Sequence, residues 1–530
     1  MSAGFFHITS RDVIFNLCHI YLLIDMIRKI LAGVLLVASA MFSPGTSLAN
    51  PKREFRGAWL HVIGQSQYMN LQQKSTKAVK DYIIGQLDKL QSAGCNAVIF
   101  QVRPTADAVY KSELEPWSYW LTGKRGKAPQ TDWDPMQFTL EEAHKRGMEF
   151  HAWLNPYRVT STAKEVLPIN HVSNKEPHRF VRFNGQILFD PAYQENRDAI
   201  CEVVDDIVSR YDVDAIHIDD YFYPYPASGM KFDGDNASYA KFGKGMLRND
   251  WRRHNVDLLI EQLHKTIKTR KPWVRFGVSP FGIWRNKSSD PRGSNSSGLQ
   301  NYDDLYADVL LWAKNGWIDY MAPQLYWTLD MKAAPSRHLA KWWNDNANGV
   351  DIYIGQDIQR TMNTPDPGNK DKNELDTKVK LSRQLPNVKG NVWWHGYWLT
   401  GNYKGVADSL TNKYQSTLAL APAYGNLSKH PQQVSDLRKL SDDKGIFISW
   451  KAPEKGVKHS ETDAVKYVVY EFLPGEDIDI DDSAAIIAVT PMTKVLVGDS
   501  SSAHELKGHT FVVTSLDRMN RESQPARIEL

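Results

Sequence analysis

The chain is predicted to be an α/β protein: a (β/α)8 TIM barrel with long loops after its strands, plus a C-terminal all-β sandwich. Three observations predict this. Between Phe55 and Tyr424, β-type apolar runs alternate eight times with amphipathic helical patterns. The long connections all follow strands, which is where a barrel carries its function. Beyond His430-Pro431 the texture changes to short alternating strands at sandwich spacing. A doubly wound open sheet is the runner-up. It usually announces a Gly-rich turn after its first strand, and Trp59-Leu60-His61-Val62 offers none.

The elements follow in chain order. Residues 1–49 read as a leader. Arg28 and Lys29 form a basic start, Ile30 to Phe42 is apolar, and Ser47-Leu48-Ala49 is a small-x-small cleavage site, so a signal peptide is expected. Residues 1–25 contain Asp12 and Asp25 and fit badly in front of it, which points to Met26 as the true start; an uncleaved anchor is the rival reading. Cys18-His19 lacks a lipoprotein cleavage pattern, so no lipid anchor is expected. The mature protein is expected to be periplasmic or secreted, without a membrane span. Cys95 and Cys201 read as buried free thiols, and no Cys/His cluster has zinc spacing.

Residues 50–430 read as the barrel. The strand candidates are Arg56–Val62, Asn96–Val102, Glu149–Leu154, Asp214–Asp219, Arg275–Ser279, Asp319–Tyr326, Asp351–Gln356 and Asn391–Tyr397. Helical patterns lie between them, such as Lys77–Gly94, closing on a glycine stop signal, and Arg197–Asp212. Residues 431–530 carry VSDLRKL, GIFISWKAP, AVKYVVYEF and HTFVVTSLD without paired cysteines or a catalytic cluster, and read as a fibronectin type III-like spacer or weak binding module.

Composition narrows the function. A chain of 530 residues at 42% hydrophobic and 24% charged is globular, and a net charge of +3 gives no sign of a nucleic-acid partner. The 17 Trp, 23 Tyr and 19 Phe fit a neutral, flat-faced ligand such as a sugar; a large aromatic core is the bland alternative.

Alternation sends every second strand side chain inward. Arg103, Asn155, Asp219 and Gln324 are expected to converge at the mouth, with His217 one layer below. Polar residues at several strand ends are poor barrel filler, although a buried network without chemistry is the alternative. Asp219-Asp220 is the focal point, because glycosidic cleavage needs one carboxylate against the sugar cation and one acid for the leaving oxygen. Asp190, Asp107 and Glu113 are further candidates for the second acid. The plain reading of Asp190 is a helix N-cap ahead of Pro191; Glu113 and Glu115 read as solvated. Arg103 is expected to keep Asp219 ionised, and His217 to hold it. Tyr157, Arg158, Tyr221, Tyr225, Tyr326 and Trp327 supply sugar-platform material.

These residues sit in longer strings. FRGAWL, QVRPTADAVYKSELEPWSYWLTG, AHKRGMEFHAWLNPYR, FDPA, VDAIHIDDYFYPYP, FGVSPFGIWRN and DYMAPQLYW occur in order over 55–400. Together they resemble the glycosyl hydrolase-like 10 family. The resemblance implies a secreted TIM-barrel hydrolase of glycans, with some members acting on peptidoglycan strands stripped of stem peptides. It implies functional positions at Arg103, Asn155, Arg158, Asp190, Asp219, Asp220, Tyr221 and Gln324, and discounts Asp107 and Glu115 as catalysts.

The leading expectation is therefore a glycoside hydrolase of a cell-wall or related polysaccharide, with no cofactor and no metal. The alternative is a non-catalytic glycan-binding surface protein on a degenerate barrel. A metal-dependent hydrolase using His217 and Asp219 ranks third, because the first strand lacks a His-x-His.

Overall fold

The computed structural model describes residues 50–64, 71–72, 74–169, 171–456, 459–499 and 504–530. The leader, with the predicted signal peptide, cleavage site and Cys18, lies outside them. Asn50–Leu530 is one compact unit. Among the described residues, no helix is long and apolar enough to cross a membrane.

Eight parallel strands close a barrel in chain order: β1 (Phe55–Leu60), β2 (Ala97–Arg103), β3 (Glu149–Leu154), β4 (Ala215–Ile218), β5 (Arg275–Val278), β6 (Tyr320–Met321), β7 (Asp351–Asp357) and β8 (Val388–Trp394), the last pairing with β1. All eight expected strands are present. β6 is shorter than its apolar run because Pro323 has no N–H for the ladder, and Gln324 rejoins only through isolated bridges to Phe281 and Gly355.

The outer layer comprises α1 (Thr76–Ser92), α2 (Pro135–Lys145), α3 (Gln194–Arg210), α4 (Arg248–Arg270), α5 (Val309–Lys314), α6 (Ser336–Asp345), α7 (Leu375–Gln384) and α8 (Gly396–Thr400). α1 shows why they form. Ser75 caps its first turn through the Ala78 N–H, Val79, Ile83, Leu87 and Leu90 bury one stripe, and Gly94 turns the chain out at φ 82°.

The barrel interior is unusually aromatic. Phe55, Trp59, Trp153, Tyr320 and Tyr353 fill it beside Ala97, Ile99, Ala215, Ala322 and Val392. Phe55 and Tyr353 stack with centroids 4.0 Å apart. Large rings fit because small residues face them: a Cβ on Gly277 would lie 1.9 Å from Tyr320 Cζ. Cys95 and Cys201 are free and buried, and burial pushes both thiols up to about 12.

The C-terminal residues form two antiparallel sheets. One contains β9 (Ser435–Asp442), β10 (Gly445–Lys451) and β13 (Lys494–Gly498); the other contains β12 (Ile486–Thr490), β11 (Lys466–Phe472), β14 (Thr510–Leu516) and β15 (Ala526–Glu529). The four strands read from sequence are β9, β10, β11 and β14; β12, β13 and β15 are additional.

This module closes the barrel floor, the end where the strands begin. Met519 joins the main core. Asn520 Nδ2 donates to Glu149 Oε1 at 2.6 Å, and Arg518 pairs with Asp212. Tyr424 Oη donates to the carbonyls of Trp273 and Arg518 at 2.8 Å. Contact is tight: Gly147, at φ 73°, would place a Cβ 2.7 Å from Val489 O. A module read as a spacer is thus packed against the barrel along its base.

Candidate active site

Asp219 follows the last residue of β4 and is buried. Trp153, on the neighbouring β3, donates from Nε1 to Asp219 Oδ2 at 3.0 Å. Asn155, one residue beyond β3, donates from Nδ2 to Oδ1 at 3.0 Å. Trp153 and Asn155 reach the same carboxylate because residues two apart on a strand share a face. Asn155 is itself held, since its Oδ1 accepts the Arg158 N–H at 2.8 Å. Burial raises the Asp219 carboxyl, and the Arg158 charge with the Trp153 and Asn155 hydrogen bonds pulls it back. Arg158 in turn lies over the Tyr221 ring, 4.6 Å from its centroid, and Tyr221 is 37% exposed.

Asp220 is equally buried but differently attended. Tyr225 Oη donates to its Oδ2, and Gln324 also hydrogen-bonds its side chain. Gln324 Nε2 is held by the Ser279 carbonyl at 3.0 Å. Burial, then the adjacent Asp219 charge, pushes the Asp220 carboxyl up to about 7. Burial raises both adjoining carboxyls, and their hydrogen-bond partners differ. Asp219 has the donors that stabilise an anion, and Asp220 has the environment that keeps a proton.

An aromatic wall lines the neighbouring strand ends. Tyr326 stacks on Trp394 at 6.0 Å and 15°, and meets Trp59 edge-on at 6.4 Å. Trp394 also meets Trp153 edge-on at 6.3 Å. His61 lies 5.0 Å from Trp394, and burial lowers its imidazole to about 3, so it is uncharged near neutrality.

Several sequence expectations need correction. Arg103 does not approach Asp219. A register shift between Gln101 and Arg103 breaks the alternation of β2 against β3, and Arg103 pairs with Glu115 at 2.5 Å while donating to the Asn155 and Pro156 carbonyls. The guanidinium acting on Asp219 is that of Arg158. Glu115 is accordingly the partner of a buried arginine, not a solvated side chain. His217 does not hold Asp219 either. Its ring nitrogens meet Trp59 Nε1 at 3.2 Å and Tyr320 Oη at 2.9 Å, and burial lowers its pKa well below the usual value, so it is neutral.

Tyr157 is fully buried in the main core, where no sugar reaches it. Asp107 is buried and staples its own loop, accepting from Thr105 and from the Tyr119 N–H. Asp190 caps no helix, since α3 starts at Gln194; its Oδ1 accepts the Ala192 N–H at 3.0 Å. Burial raises its carboxyl, and the other groups acting on it are Ser238, Asp235 and Arg252, a cluster distinct from the groups around Asp219. Trp327 packs against Phe281 at 5.4 Å.

Sequence reasoning gave Trp153 no role, counted Tyr225 only as platform, and left Trp394 unmentioned. The signal for Trp153 was present in the alternation of β3, since Trp153 precedes Asn155 by two.

Comparison with known proteins gives a consistent picture. The family profile described as Glycosyl hydrolase-like 10 matches residues 54–374. The protein named glycosyl hydrolase YngK from Bacillus subtilis (strain 168) is 37% identical over 509 residues, covering 94% of this chain and 98% of its own length. Glycosyl hydrolase DigH from Escherichia coli (strain K12) is 36% identical over 401 residues, covering 68% of this chain and 90% of its own. Among solved structures, the PgaB (BpsB) glycoside hydrolase domain from Bordetella bronchiseptica superposes with a TM-score of 0.43 at 11% identity, covering 68% of this chain and 99% of that one. That overlay is too loose to carry any residue across.

Proposed function

This chain belongs to the glycosyl hydrolase-like 10 family and is a glycoside hydrolase, and we propose that it cleaves the glycan strands of bacterial cell-wall peptidoglycan, or a related polysaccharide, through Asp219 and Asp220. The observation that carries the mechanism is the unequal treatment of the two carboxyls. Asp219, with Trp153, Asn155 and Arg158 turned towards it, is the anion that stabilises or attacks the sugar cation. Asp220, raised to about 7, is the acid that protonates the leaving oxygen. The donors around Asp219 favour the anion there, so a proton held by the pair sits on Asp220.

The aromatic faces of Tyr221, Tyr326 and Trp394 are suited to the C–H faces of pyranose rings. Arg158 and Gln324 stand beside the two carboxyls and are placed to bond hydroxyls. In this reading residues 50–430 do the chemistry, and residues 431–530, a fibronectin type III-like module, close the barrel from below. A periplasmic or extracellular location, reached through the Met26–Ala49 signal peptide, matches a cell-wall substrate.

The test is digestion of glycan strands freed of peptides, of intact peptidoglycan and of a polysaccharide panel, with product masses measured. Release of short saccharides from the peptide-free strands, with little from intact peptidoglycan, is expected. Cleavage confined to an unrelated polysaccharide would move the substrate assignment while leaving the catalytic pair in place.

A further inference from the structure

A single file of buried hydrogen bonds climbs the barrel axis from floor to mouth. Lys466 Nζ donates to Asn520 Oδ1 at 3.3 Å, and Asn520 Nδ2 to Glu149 Oε1 at 2.6 Å. Glu149 Oε2 meets His151 Nε2 at 3.0 Å, and His151 Nδ1 meets Tyr320 Oη at 2.8 Å. Tyr320 Oη meets His217 Nδ1 at 2.9 Å, and His217 Nε2 meets Trp59 Nε1 at 3.2 Å. From Asn520 to Trp59, every member is at most 2% exposed.

The chemistry fixes the direction of each bond. An indole nitrogen only donates, so His217 Nε2 accepts from Trp59. A neutral His217 then carries its proton on Nδ1 and donates to the Tyr320 oxygen. The Tyr320 hydroxyl turns to His151 Nδ1, leaving the His151 proton on Nε2, facing Glu149. Glu149, without a proton, accepts from both His151 and Asn520. Its carboxyl is held low: burial raises it, but the hydrogen bond and electrostatic pull of His151, then the nearby Lys466 and Arg275 charges, outweigh that. This is the arrangement that leaves no buried proton without an acceptor. A proton on Glu149 facing His151 would force the file to reverse one member at a time, until His217 pointed an N–H at the N–H of Trp59.

We propose that Asn520, carried on the β14–β15 loop of the C-terminal module, is a positioning residue of the active site: it anchors the charged end of this file and so fixes the tautomers of His151 and His217 and the ring of Trp59. Trp59 matters because Tyr326 and Trp394 pack edge-on against it at 6.4 and 6.3 Å. The loop is built rigidly for the purpose. Buried Asp517 accepts from the Met519 N–H, the Arg521 N–H and Arg521 Nε at 2.7–2.9 Å. Arg53 Nη1 holds the Asn520 carbonyl at 2.8 Å. Asn520 sits at φ 56°, a left-handed conformation that asparagine tolerates well. The consequence for activity rests on the glycosidase reading above; the proton arrangement does not.

The test uses the full chain with long-range 1H–15N NMR of the imidazoles. In the wild type, His217 is expected as the Nδ1–H tautomer and His151 as Nε2–H; the opposite tautomers would overturn the proposal outright. Asn520→Gly removes the amide while keeping the left-handed backbone unstrained. It should convert at least part of the His151 population to Nδ1–H and raise KM about tenfold, with a smaller change in kcat. Glu149→Gln, which places a neutral side chain at the same point, should shift the tautomers in the same direction and serves if the glycine variant fails to fold. Unchanged tautomers in a folded variant would defeat the proposal. Changed tautomers with an unchanged KM would defeat the positioning role and leave the glycosidase reading intact.

Discussion

The two ends of this barrel treat buried charge in opposite ways. At the floor the buried ions form opposite-charge pairs. Glu54 is shared by Arg56 and Arg383, Arg275 bonds Asp351 and Tyr353, and Glu149 accepts from His151 and Asn520. At the mouth two adjacent carboxyls are buried side by side; burial raises both, and the Asp219 charge adds to the rise of Asp220. Burying two like charges side by side costs stability, and ion pairs at the floor avoid that cost, so the contrast marks the mouth as the candidate site.

The largest effect expected from breaking that contrast is at Asp219. Asp219→Asn keeps the shape and removes the charge, and should lower kcat at least 10²-fold, about 3 kcal/mol of barrier. A folded variant within tenfold of wild type would transfer the anion's role to Asp220. Asp220→Asn sharpens the contrast through stability. A carboxyl raised to about 7 when folded holds its proton where the unfolded chain has already lost it, so its contribution falls as pH rises from about 4 to about 7. Thermal unfolding should therefore show the variant more stable than wild type by up to about 4 kcal/mol at pH 8, with little gain at pH 4. Wild type is expected to show an alkaline fall of kcat near pH 7, which the same variant should lose.

At the floor, Gly147→Ala should cost about 1–2 kcal/mol, from the left-handed backbone and from the approach of Val489 O; denaturant unfolding would measure it, and a cost near zero would mean that the module gives way there. The smallest effect belongs to Asp190→Asn, for which less than a tenfold loss of kcat/KM is expected. A 10²-fold loss would instead make Asp190 the acid.

Much of this was legible in the sequence. The eight strands follow from apolar periodicity, and the Asn155–Asp219 contact from period-two alternation at two adjacent strand ends. Where alternation was interrupted, the reading failed: the register shift in β2 turned Arg103 away, and no local pattern announces such a shift. His217 was placed in the correct layer, but its partners come from β1 and β6, far apart in the chain. The contribution of Asn520 was illegible for the same reason, since the loop that carries it lies 371 residues from Glu149.

The axial file ends on an atom with no lone pair to offer. Protons can pass along a row of hydroxyls and imidazoles only if each member can both take one and give one, and the Trp59 indole can only give. The row therefore holds position without conducting. On the mechanism proposed above, Asp220 would then recover its proton from water at the mouth, the side on which the substrate arrives.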